Sequence, residues 1–210
     1  MTAFDKAAAQ WDLNPDRLKL HRELYDSINR EVKLEKTWKA LDFGCGTGIM
    51  SFMLADKLEE INALDSSNGM IEELNKKLTV EEAPDNINAH CTLLDDNTFD
   101  EESFDFLYTI LTLHHVEDVE QLIKTFGKIV KSGGQIALID LEKEDGNFHK
   151  KTETNIYHHG FEQEYIEKLL TEAGFEKITS ATAATRRREM EDGSSKSYPL
   201  FLVTARKKCS

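Results

Sequence analysis

The sequence predicts an α/β fold in which a mostly parallel, doubly wound sheet is wrapped by helices on both faces. Three observations carry this expectation. Short apolar runs alternate with segments of helical apolar spacing along most of the chain. The run LDFGCGTG at residues 41–48 joins a buried strand to a glycine turn that opens a helix. Acidic residues, Asp42 and Asp65, stand at the ends of the first two strands. Strands that alternate with helices are the pattern of a parallel sheet covered on both sides.

The elements follow in order. Leu18, Leu20, Leu24, Ile28, Val32 and Leu34 recur at helical spacing over residues 14–34, behind Asn14 and Pro15 as start signals. The first strand is expected at 38–43 and its helix at 48–59; INALD at 61–65 is a second strand, followed by a helix over 67–78. After the loop at 81–86 come a third strand at 87–94, a polar turn at 99–103 and a fully apolar fourth strand at 104–111. A helix over 117–130 closes at the turn Lys131–Ser132–Gly133–Gly134, and QIALIDL at 135–141 is the fifth strand. Residues 161–173 read as a helix stopped by Gly174. Two last strands, 175–188 and 197–206, joined at an Asp192–Gly193 turn, form a hairpin that adds an antiparallel strand.

A chain of 210 residues, 40% hydrophobic and 31% charged, fits one globular domain, here 1–210 with a helical cap at 1–36 and the α/β core at 37–208. No apolar run spans a bilayer and the N-terminus has no signal-like stretch, so no membrane partner and a cytoplasmic location are expected. A net charge of −13 repels a nucleic-acid backbone. The basic clusters Arg186–Arg187–Arg188 and Arg206–Lys207–Lys208 read as solvated strand ends, the first with an alternative role in holding an acidic substrate. Cys45, Cys91 and Cys209 show neither disulfide nor metal spacing. Nothing marks an obligate interface, and a monomer is the default.

Glycines on alternate positions, Gly44, Gly46 and Gly48, let backbone N–H groups approach a ligand. Asp65 ends the second strand, 17 positions after Gly48, where a carboxylate accepts two ribose hydroxyls at once. The alternative is a helix cap, a task Ser66 or Ser67 can take instead. The dinucleotide pattern GxGxxG fails here, because Ile49 or Ser51 stands where its third glycine is required. Asp42 through Gly48 fits DxGxGxG, a turn for a cofactor with no pyrophosphate to cradle.

With these motifs the chain resembles the class I S-adenosylmethionine-dependent methyltransferases and their Rossmann-like fold over nearly its whole length. The resemblance extends to LDSSNGM at 64–70, SFDFLYTILTLHHVED at 103–118 and KIVKSGGQIALIDL at 128–141. EDGNFH at 144–149, HHGF at 158–161, AGF at 173–175 and YPLFLVTAR at 198–206 look like a bacterial-type branch of small-molecule enzymes. The resemblance implies S-adenosylmethionine as cofactor and S-adenosylhomocysteine as product. Gly44, Gly46 and Gly48, with Cys45 and Thr47 between them, would wrap the methionine part, and Asp42 would order the turn and help hold the amino group. Asp65 would bind the ribose, with Ser66 and Met70 near the adenine. Leu94 and Asp95 would meet the adenine by backbone N–H and carboxylate, the choice between Asp95 and Asp96 staying open. Ile110 would offer its carbonyl to the cofactor's amino group.

A general base is needed only for a protonated acceptor. His114 and His115 follow the fourth strand, and His149, His158 and His159 surround the loop after the fifth. An unperturbed imidazole titrates near neutrality, so each is a candidate base. The bland readings are packing or helix capping for one of the first pair and pocket lining for the second group. Joining His149 with His158 or His159 around a metal lacks an acidic partner, and no metal is assigned. Trp11 and the N-terminal segment either cover the site or anchor a helix to the domain.

These readings converge on methyl transfer to an O, N, S or C nucleophile of a small molecule. Methylation of bases or glutamine is disfavoured, since TILTLHH replaces the Asn/Asp-Pro-Pro-aromatic turn; a catechol-type metal enzyme lacks its paired acids, though Asp140 stands near that place. The alternatives are a cofactor-binding module without turnover and, behind it, a nicotinamide-dependent reductase.

Overall fold

The computed structural model describes residues 2–149, 155–189 and 193–209. Its helices are α1 (Ala3–Trp11), α2 (Pro15–Glu31), α3 (Ile49–Leu54), α4 (Asn68–Leu78), α5 (Val119–Ile129) and α6 (Gln163–Glu172). Its strands are β1 (Lys39–Phe43), β2 (Glu60–Asp65), β3 (Ile87–Cys91), β4 (Phe104–Ile110), β5 (Val130–Leu141), β6 (Phe175–Glu189) and β7 (Ser195–Lys207).

The seven strands form one sheet in the order β3-β2-β1-β4-β5-β7-β6. The first five run parallel, β7 pairs antiparallel with β5, and β6 pairs antiparallel with β7. Both strands of the expected hairpin therefore join the sheet. Of its turn, Gly193 has φ 80°, while Asp192 lies outside the described residues.

Side chains alternate across the strands and supply two cores. Ala40, Phe106, Tyr108, Ala137 and Ile139 face α2, α3 and α4, where Leu24, Ile28, Leu54 and Leu74 meet them. Leu41, Phe43, Leu107, Ile136 and Leu138 face α5 and α6, against Ile123, Phe126, Ile166 and Leu170. Period two in the strands and period 3.6 in the helices thus bury complementary faces.

The structure differs from expectation in several places. Helix α1 went unpredicted, although Thr2 and Asp5 close a capping box around its first turn. The helix expected over 48–59 stops at Leu54 and tightens into a 3-10 turn at Ala55–Lys57. The third strand ends at Cys91 rather than 94, where Thr92 N–H turns back to the carbonyl of Asp65. A 3-10 turn at Leu113–His115 precedes α5, whose start moves to Val119 under an Asp118 cap. The expected turn at 131–134 is instead an irregular start of β5, with a register shift opposite Phe104 and Phe106. Among the described residues no helix is long and apolar enough to cross a membrane.

Leu24 is fully buried between α2 and the sheet. Leu24→Ala is expected to lower unfolding free energy by roughly 2–5 kcal/mol. Chemical denaturation checks this, with the midpoint falling and the denaturant slope unchanged.

Candidate active site

Strand order reverses between β1 and β4, and the carboxyl ends of such strands diverge into a crevice. A cavity of about 1180 Å³ opens there. Its walls come from the loops after β1, β2, β3, β4 and β5, from α1 and α2, and from β6.

The glycine turn is tied to its neighbours through its backbone. Gly44 N–H and Cys45 N–H donate to the Leu64 carbonyl at 2.8 and 3.0 Å. At Gly44 (φ 72°) a Cβ would lie 2.3 Å from the Thr112 side chain, so the approach of the β4 loop excludes any larger residue. At Gly46 (φ 55°) a Cβ would meet nothing nearer than the Trp11 Nε1 at 3.8 Å, so it would project into cavity space. The bare backbone there leaves room for a ligand. Burial holds the Cys45 thiol well above its ordinary value, which makes it a neutral packing group.

Asp65 accepts Gly46 N–H at 2.9 Å on one carboxylate oxygen and Ser67 N–H at 2.8 Å on the other. A carboxylate oxygen can accept more than one donor, and Asp65 lines the cavity. Burial pushes this carboxyl up, while those backbone donors pull it back. Ser67, not Asp65, caps α4, accepting Met70 N–H. Ser66, Met70, Leu94, Asp95 and Ile110 also line the cavity, and Ile110 is the last residue of β4. Asp95 accepts Asn97 N–H and the Thr98 hydroxyl on Oδ1, whereas both oxygens of Asp96 are engaged, by Thr125 and Lys128.

Asp42, Thr47 and Gly48 are not on the cavity wall. Asp42 is buried beneath the turn, where it accepts the Ser51 hydroxyl at 2.5 Å; burial pushes its carboxyl up to about 7. The Thr47 hydroxyl donates to Asp12, and Gly48 stands at the head of α3 against Leu74.

Helix α1 covers the cavity with Phe4, Ala7 and Trp11. Two carboxylates latch it. Asp5 accepts the Ser67 hydroxyl at 2.6 Å and Gly69 N–H at 3.0 Å, contacts that hold it well below the usual carboxylate range. Asp12 accepts Thr47 and, at 2.7 Å, Lys77 Nζ. Trp11 therefore both covers the site and anchors the helix, its ring lying 3.6 Å from the Arg17 guanidinium.

The comparisons with known proteins now bear on this geometry. A family model described as "Methyltransferase domain" matches residues 41–138, the stretch from β1 into β5 that contains the glycine turn and Asp65. Residues 41–138, just under half of the chain, thus carry the signature of a methyltransferase domain. It is 29% identical over 157 residues to phosphoethanolamine N-methyltransferase 1 of Zea mays, covering 70% of this chain and 30% of that protein. It is 32% identical over 124 residues to the ubiquinone biosynthesis O-methyltransferase of Coxiella burnetii, covering 59% of this chain and 49% of that protein. The chain thus spans half or less of these two relatives. A phosphoethanolamine N-methyltransferase 2 of Haemonchus contortus, solved with S-adenosyl-L-methionine, superposes with a TM-score of 0.69 at 14% identity, over 99% of this chain and 60% of that one.

The five candidate histidines separate in the structure. His114, His115 and His149 converge on the cavity. His158 is turned away, its Nε2 2.9 Å from the Val116 carbonyl, and His159 is exposed beside Glu144. Asp140 is wholly buried behind His114 and holds its Nδ1 at 2.6 Å. Burial beside the other two rings lowers His115 to about 4.

Sequence reasoning missed Phe4, Arg17, His21, Leu111, Thr112 and Phe148 on the cavity wall; of its two readings for Arg186, a solvated strand end or a contact for an acidic substrate, the position on the wall fits the second. Phe4 and Trp11 were legible as an i, i+7 pair behind a capping box. Leu111 (φ 53°) is a left-handed non-glycine residue, a conformation that sequence does not announce.

Two outcomes are expected. Because burial raises Asp42, its contribution to stability is complete below pH 4 and is lost as pH rises through about 7. Asp42→Asn keeps an acceptor for Ser51 and removes that loss; the stability difference between variant and parent should therefore shift in the variant's favour by up to about 4 kcal/mol from pH 4 to 8, followed by denaturation at each pH. Asp5→Ala should unlatch α1, with amide exchange across residues 3–11 accelerating roughly tenfold while the sheet keeps its protection.

Proposed function

We propose that the chain transfers the methyl group of S-adenosylmethionine to a small molecule that carries an anionic group. The observation that supports cofactor binding best is the pairing of Asp65, which lines the cavity, and the open backbone at Gly46. Together these fit an adenosyl group with an amino-acid tail. Asp65 accepts the ribose hydroxyls, and the Gly44 and Gly46 backbone leaves room for the methionine part. Asp95 rather than Asp96 accepts the adenine amine, because its Oδ2 is not spent on α5. Leu94 N–H and the Ile110 carbonyl serve the adenine and the amino group. Asp42 supports the turn from beneath.

When bound, S-adenosylmethionine supplies a methyl already activated by the sulfonium charge. The protein's task is then to align the nucleophile and exclude water. Phe4 and Trp11 on the latched α1 close the cavity against solvent. Where the acceptor must lose a proton, His114, His115 and His149 are the imidazoles that line the cavity. His158 and His159 have no part in this reading.

The acceptor's class follows from the far wall. Arg17, Arg186 and Arg188 line it, beside His21 whose burial favours the neutral ring, in a chain whose net charge is −13. Concentrating cations there favours a phosphate or carboxylate on the acceptor. The relative named for phosphoethanolamine suits the same chemistry.

Calorimetric titration with S-adenosylmethionine, S-adenosylhomocysteine and NADH tests the cofactor. The two adenosyl ligands should bind and NADH should not, and Asp65→Ala should weaken both by about 100-fold through two lost charge-assisted hydrogen bonds. NADH binding alone would refute the reading.

A further inference from the structure

We infer that His114, His115 and His149 form a divalent metal site of the zinc type, with an open coordination position facing the cavity. The three rings come from two places in the chain, the 3-10 turn after β4 and the loop after β5. Their centroids lie 4.1 Å (His114–His115), 4.9 Å (His114–His149) and 5.6 Å (His115–His149) apart. One nitrogen from each falls within 4.8 Å of the others. Three nitrogens around a tetrahedral ion, at bonds of about 2.0–2.1 Å, are roughly 3.4 Å apart, so small ring rotations close the set.

Tautomers supply the second argument. His114 Nδ1 lies 2.6 Å from an Asp140 oxygen and must donate to it. His115 Nδ1 lies 2.8 Å from the Asn155 carbonyl, which can only accept. Both Nδ1 atoms therefore carry hydrogen, and both rings present the bare lone pair of Nε2, the form that binds a metal. His114 Nε2 is buried and has no hydrogen-bond partner. Left so, it forfeits a hydrogen bond in an apolar setting; a cation at that point satisfies it.

Asp140 completes the arrangement. It is fully buried at the end of β5 and accepts Leu141 N–H at 2.7 Å and His114 N–H at 3.3 Å as well as the ring. A carboxylate behind a ligating imidazole fixes its orientation and raises its basicity. The acid absent from the sequence spacing around His149 is thus present, but behind His114. Phe4 packs edge-on against His115 and Phe148 against His149, giving the site an apolar surround. Three imidazoles with no carboxylate among the ligands suit Zn²⁺, Co²⁺ or Ni²⁺ rather than Mg²⁺ or Ca²⁺. Since all three line the cavity, the fourth position is directed at the acceptor space, where an oxygen or nitrogen of the acceptor would take it.

The test does not depend on methyl transfer. Chelator-treated, dialysed full-length protein is titrated with Co²⁺ and Zn²⁺, followed by calorimetry and by the visible absorption of cobalt. The expected result is one ion per chain at micromolar affinity or tighter, with a saturating cobalt spectrum that Zn²⁺ abolishes. His149→Ala, in a loop, should weaken binding at least 100-fold with the melting temperature of the metal-free protein unchanged. Asp140→Asn should weaken it 10–100-fold, as loss of an orienting carboxylate does. His159→Ala should bind as the parent does. No saturable cobalt spectrum, or equal affinity in the His149→Ala and His159→Ala proteins, would overturn the site.

Discussion

The reversal of strand order between β1 and β4 is the constraint on which the rest of this molecule depends. From β1 the chain winds outward through β2 to β3, then returns to place β4 on the other side of β1. The loops leaving β1 and β4 must therefore part company, and the gap between them cannot be filled by either crossover helix. Gly44 meets Thr112 across the floor of that gap, so closely that a single Cβ would force the two loops apart. Asp65, Asp95, His114, His115 and His149 stand around it.

Three aspartates end three strands of this sheet, and their surroundings assign them different work. Asp42, at β1, is sealed beneath the glycine turn with Ser51 and is raised by burial to about 7. Asp65, at β2, receives two backbone N–H groups and keeps a face on the cavity. Asp140, at β5, is buried completely and spent on His114. The same residue type at equivalent strand ends thus becomes a support for the turn, a ligand acceptor and an orienting group for an imidazole. Hydrogen-bond partners and dielectric make the difference.

The strands were legible because each burial face obeys a short local period. β1, β2 and β4 fall within a residue or two of expectation, and the antiparallel hairpin was marked by Asp192–Gly193. Element ends were less legible. The helix after the glycine turn stops at Leu54 because the next residues tighten into a 3-10 turn, a choice that depends on packing against the sheet. Helix α1 is short, nine residues, and tertiary contacts from Asp5 and Asp12 to α4 and the glycine turn secure it.

The sequence alone determined the sheet, the glycine turn and the acid that follows it, because each depends on residues close together in the chain and on backbone rules that act locally. It could not determine which histidines meet. His149, His158 and His159 are near in sequence, yet of their rings only that of His149 reaches the rings of His114 and His115, while the His158 ring bonds to Val116 and His159 stays outside. Nor could it place Arg17 and Arg186, 169 positions apart, on one wall. Those pairings are set by how the β5 loop and the long β6 strand return over the crevice, and long-range packing leaves no local periodicity to read.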